Sequence, residues 1–145
     1  MNFVAEHRLR NNPADAGQLA IWVEDFARQA RLPSSVRQAI DLALEECVTN
    51  VFSYAWKDGR EHWVLISFKA DSHEGSAEVE VEDDGREFNP LASPPVDVSV
   101  PLERRPIGGL GIHMIRQLMD SVTYRRENGR NILKLAKRIT AGPGP

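Results

Sequence analysis

A chain of 145 residues with 41% apolar content is long enough for one buried core and too short for two ordinary domains, so a single domain over residues 1–145 is expected. A net charge of −3 without any basic run argues against direct nucleic-acid binding, and the longest apolar stretch, residues 63–68, cannot span a bilayer. The lone Cys47 rules out an internal disulfide, the four histidines lack metal-ligand spacing, and Glu6-His7-Arg8 interrupts any signal-peptide core; a cytoplasmic protein is expected.

Residues 3–10 look like an edge strand. Asn12-Pro13 then opens a helix with Leu19, Trp22, Val23, Phe26 and Ala30 on its apolar face, and Leu32-Pro33 ends it. Ser34 stands where it would cap a second helix, residues 34–56. On this helix Val36, Ile40, Leu44, Cys47, Val51 and Ala55 recur at helical spacing as the buried stripe. Lys57-Asp58-Gly59 turns the chain into strands at 62–70 and 77–83, a hairpin about residues 71–75. Residues 90–106 carry five prolines and no period, which reads as a functional loop or lid. A helix at 112–119 follows, then strands at 121–126 and 131–138 about the turn 127–129, and an unpacked tail at 140–145. Two helices, a hairpin, a helix and a second hairpin give an α+β fold: a two-layer α/β sandwich whose mostly antiparallel or mixed sheet carries helices on one face.

Three short segments carry chemistry. In the second helix Glu46 and Asn50 are four residues apart and share one face, along the border of the apolar stripe. One such pair is ordinarily a solvated edge. In the run VEVEDDGREFNP, residues 79–90, a half-buried strand ends in Asp83-Asp84-Gly85, which places Asp83 at a strand end outside the core. In RRPIGGLGIHMIRQLMD, residues 104–120, Gly108, Gly109 and Gly111 lead into helical spacing at Ile112, Ile115, Leu118 and Met119. A glycine-rich loop opening a helix suits an anion, since the backbone can approach closely and the free amides of the first turn point at it.

In this order and spacing the three segments resemble the nucleotide-binding boxes of the GHKL (Bergerat-fold) ATPase superfamily. Within it, the short chain, EExxTN, DDGxxFNP and the RPIGGLGIHMIRQLMD run are most similar to the anti-sigma-factor serine kinases. The resemblance covers roughly residues 32–139. It implies ATP held with Mg²⁺, phosphorylation of a serine on a STAS-type anti-anti-sigma partner, a sigma factor bound in the alternative state, and a homodimer in many members.

Carried over residue by residue, the resemblance makes Asn50 the magnesium residue, Glu46 the general base and Asp83 the acid that accepts a hydrogen bond from the adenine amine, with Gly85 letting the backbone pass beneath the base. Gly108, Gly109, Leu110 and Gly111 match the phosphate loop, Ile112 and His113 begin its helix, and Arg104 and Arg105 precede it, where they would neutralise γ-phosphate charge. Glu45 points about a quarter-turn away and reads as a surface acid; His113 reads as a structural or solvent-facing residue and not as a phospho-acceptor. Two departures stand out: Arg86-Glu87 replaces a common Gly-x-Gly, and Asn131-Ile132 replaces the Gly-Thr with which many members contact phosphate. Besides a serine kinase, the residues admit an ATP-gated binding switch without phosphoryl transfer. A histidine-kinase catalytic fragment would need an acceptor domain, for which this chain has no room.

Overall fold

The computed structural model describes residues 2–92 and 109–139, with only the backbone of Gly109 and Leu110. Strand β1 (Asn2–Arg10) leads through a 3-10 turn (Pro13–Gly17) into helix α1 (Gln18–Ala30), and α2 (Ser34–Tyr54) follows. The hairpin β2 (Trp63–Asp71) and β3 (Ser76–Asp83) precedes a second 3-10 turn at Pro90–Ala92. Helix α3 (Gly109–Leu118) and the hairpin β4 (Ser121–Glu127) and β5 (Arg130–Arg138) complete the chain. The expected lid falls outside the described residues apart from Pro90–Ala92, as do Arg104, Arg105, Gly108 and the tail at 140–145.

One five-stranded sheet has the order β1-β2-β3-β5-β4, and its four pairings are all antiparallel. The α+β sandwich stands as expected, without the parallel pairing that a mixed sheet would add among these strands. Alternation sets the two faces. Val64, Ile66, Phe68 and Ala70 of β2, and Ala77, Val79 and Val81 of β3, point to the helices and are buried. They join Val23, Phe26, Ile40, Leu44 and Ile115 in a single core. The other face is laced with cross-strand ion pairs, Arg125–Glu80 at 3.0 Å and Arg130–Glu82 at 2.9 Å.

Local chemistry explains the boundaries. Asn12 accepts a hydrogen bond from the Ala14 amide at 3.0 Å, so it caps the 3-10 turn ahead of α1 rather than α1 itself. Ser34 is no cap. Pro33, in extended conformation, holds the cap position without a side-chain bond, and its carbonyl receives the amides of Val36 and Arg37. In the β4–β5 turn, Asn128 and Gly129 have φ of 53° and 76°, as a two-residue primed turn demands of Asn-Gly. Among the described residues no helix is long and apolar enough to cross a membrane.

Candidate nucleotide site

The end of β3 and one side of α2 flank a narrow cleft with about 30 Å³ of free volume. Asn50 of α2 and Asp83 of β3 both line it, against walls from Val51, Ala55, Val81 and Leu133. Two of the expected site residues thus meet in one concavity. Cys47 also lines it, a free thiol whose burial pushes its pKa well above the ordinary range, which fits a small hydrophobe and not a nucleophile.

Asp83 is only 3% exposed, so the strand end on which it sits belongs to the core, contrary to the expectation. Its Oδ1 accepts two hydrogen bonds, from the Gly85 amide at 2.9 Å and from Asn131 Nδ2 at 3.0 Å. Burial raises the carboxyl's pKa; the bonds from Asn131 and Gly85 oppose it, Asp84 adds to it and Arg126 opposes it. Asp84 faces outward and receives the Trp56 indole N–H at 3.1 Å.

The turn after Asp83 is fastened to the end of α2. The Arg86 amide and guanidinium donate to the carbonyls of Ala55 and Tyr54 at 3.0 and 2.7 Å, and Arg126 donates to the Gly85 carbonyl at 2.8 Å. The close approach that Gly85 permits is to Ala55: a Cβ there would stand 2.5 Å from both the Cβ and the carbonyl oxygen of Ala55. Arg86, in the pair that departs from the common Gly-x-Gly, ties the turn to α2.

Glu46 is half-buried and Glu45 exposed, as the helical phase requires. Glu46 reaches α3, where a Cβ on Gly111 would stand 2.7 Å from its Oε2. The helix begins at Gly109, three residues earlier than its apolar spacing indicates, which makes Gly109 and Gly111 part of the first turn, whose amides lack intrahelical acceptors. The acid of α2 and the start of α3 are thereby neighbours. Ile112 is 2% exposed in the core, leaving only its backbone for a ligand, and His113 is half-buried.

Asn131, which stands where many family members carry the Gly-Thr, lies directly across the β3–β5 ladder from Asp83 and is 6% exposed. Its Nδ2 donates to Asp83 and to the Arg86 carbonyl at 2.8 Å; its Oδ1 accepts from the Tyr124 hydroxyl at 2.6 Å and the Phe88 amide at 3.2 Å.

Residues 9–137 match the family of histidine kinase-like ATPase domains. The serine/threonine-protein kinase BtrW of Bordetella bronchiseptica is 28% identical over 116 residues, 79% of either chain. The serine-protein kinase RsbW of Bacillus cereus is 33% identical over 96 residues, which cover 63% of this chain and 58% of that one. In fold, the RsbU and RsbW domains of Rv1364c from Mycobacterium tuberculosis align with 94% of this chain and 32% of theirs, at a TM-score of 0.68 and 14% identity. With nearly its whole length matched, the chain belongs to the histidine kinase-like ATPase domain family.

Proposed function

We propose that the protein is an ATP-dependent serine/threonine protein kinase and anti-sigma factor that works in the cytoplasm. It phosphorylates a STAS-type anti-anti-sigma partner and sequesters a sigma factor when that partner is modified. The observation that carries this reading is the convergence of Asn50 and Asp83 on one cleft, with Glu46 one helical turn from Asn50 and against the start of α3. The names of the relatives BtrW and RsbW support the same chemistry.

The donor set suits the ligands. Asp83 offers a carboxylate for an exocyclic amine, and Asn50 offers a hard amide oxygen, the donor type that Mg²⁺ takes alongside phosphate oxygens. Bound Mg²⁺ would offset charge on the phosphates. Gly109, Leu110, Gly111 and Ile112 would present backbone amides to them, joined by Gly108 and Arg105 from the preceding loop. Glu46 then accepts the proton of the partner's serine hydroxyl as its oxygen bonds to the γ-phosphorus. The bond from that phosphorus to the β–γ bridging oxygen breaks, and ADP leaves.

Incubation with γ-labelled ATP, Mg²⁺ and a STAS-type protein encoded beside this one tests the reading. Label on serine is expected; ATP-dependent binding of the partner without any label would mark a switch without catalysis.

A further inference from the structure

The Asn131 amide is held in one orientation. An amide can be turned end for end, but the Phe88 amide can only donate and the Arg86 carbonyl can only accept, so Oδ1 must face Phe88 and Nδ2 must face Arg86. That orientation aims the second Nδ2 hydrogen at Asp83 Oδ1, across the register of β3 and β5. It also fixes the Tyr124 hydroxyl as a donor, because Oδ1 has no proton to give.

Asp83 Oδ1 is consequently saturated by Asn131 and the Gly85 amide, while among the described residues no hydrogen bond reaches Oδ2. Asp83 lines the cleft, and Oδ2 is the oxygen that the described residues leave to a ligand there. The Tyr124 hydroxyl, its proton spent on Asn131, adds only lone pairs to the same wall.

We infer that Asn131, locked by Tyr124 and the backbone at Arg86 and Phe88, is the positioning residue for base selection: it spends Asp83 Oδ1 and leaves an acceptor-only corner that admits a 6-amino purine and repels a 6-oxo purine. This rests on the proposed ATP reading. A 6-amino group donates to Oδ2, whereas the carbonyl of a 6-oxo purine would set oxygen against oxygen with no proton between them.

The test is calorimetric titration of Mg²⁺ with ATP, and with ITP, its 6-oxo counterpart, into the full chain. Wild type should prefer ATP by about tenfold or more. Asn131→Leu, similar in size and without hydrogen-bonding groups, should bring the ATP-to-ITP affinity ratio down by about tenfold, with folding checked by thermal melting. Asn131→Ala adds no bulk and carries the same test if the leucine variant does not fold. Tyr124→Phe should lower the ratio by a smaller factor, since Phe88 still holds Oδ1. Equal loss of ATP and ITP affinity in folded Asn131 variants would overturn the inference, as would a wild type that does not distinguish the two. A wild type that binds neither nucleotide overturns the ATP reading itself, and the inference with it.

Discussion

Glu46 is the side chain on which kinase and binding switch part company. It borders the apolar stripe of α2 without entering it, half-buried and beside the first turn of α3. Glu46→Ala removes the proposed proton acceptor and leaves Asn50, Asp83 and the backbone proposed to face phosphate in place. ATP affinity should change little, while transfer to the partner falls by about 10²–10⁴-fold in single-turnover assays. Asn50→Ala should instead weaken nucleotide binding itself, and only when Mg²⁺ is present. The pair was legible in the sequence because helical phase depends on spacing alone. Asn131 was not: its partner Asp83 lies 48 residues away and faces it only through the β3–β5 register, which no local pattern encodes.

At the scale of elements, α2 is the spine of the site, and two glycines let other elements approach it closely, Gly85 at Ala55 and Gly111 at Glu46. At Gly85 the β3 turn passes so close to Ala55 that Gly85→Ala must displace backbone, and it should cost about 1–3 kcal/mol or more in chemical denaturation. Gly111→Ala meets only the tip of a flexible side chain, Glu46 Oε2, and gains up to about 1 kcal/mol of helix propensity. It should therefore keep or raise the melting temperature while slowing phosphoryl transfer, because the carboxylate has to move aside. The packing of β1 against α1 carries a pH signature. His7 stacks on Trp22 at 4.5 Å, and burial lowers its pKa from 6.5 despite the opposing field of Asp25. The unfolded chain then binds this proton at higher pH than the folded one, so stability is lost as pH falls through about 6.5. Thermal melts between about pH 7.5 and 5.5 should show that loss, and His7→Phe should flatten it.

The element pattern was read well where period and turn chemistry agree, as in α2, the β2–β3 hairpin and the Asn-Gly turn. It slipped at helix starts. Ser34 has a capping side chain but follows Pro33, whose extended backbone already takes the cap position. Gly109 and Gly111 are poor helix formers that nonetheless join α3, where the missing Cβ at Gly111 makes room for Glu46.

For the whole molecule, the strand order β1-β2-β3-β5-β4 decides where the chemistry goes. Setting β5 beside β3 brings Asn131 and Tyr124 to Asp83, and laying α2 over β3 brings Asn50 to the same cleft. Titration of ATP with Mg²⁺ into the nucleotide-stripped wild type and into Asp83→Asn examines this arrangement. In the variant an amide oxygen can still accept from Gly85 and Asn131, while an NH₂ group replaces Oδ2 toward the cleft. It relieves the burial of a charge, so it should melt no lower than wild type. Saturable heat with wild type and none with the folded variant is the predicted result; equal binding by both, or no heat from wild type at millimolar ATP, would contradict the assignment of this cleft.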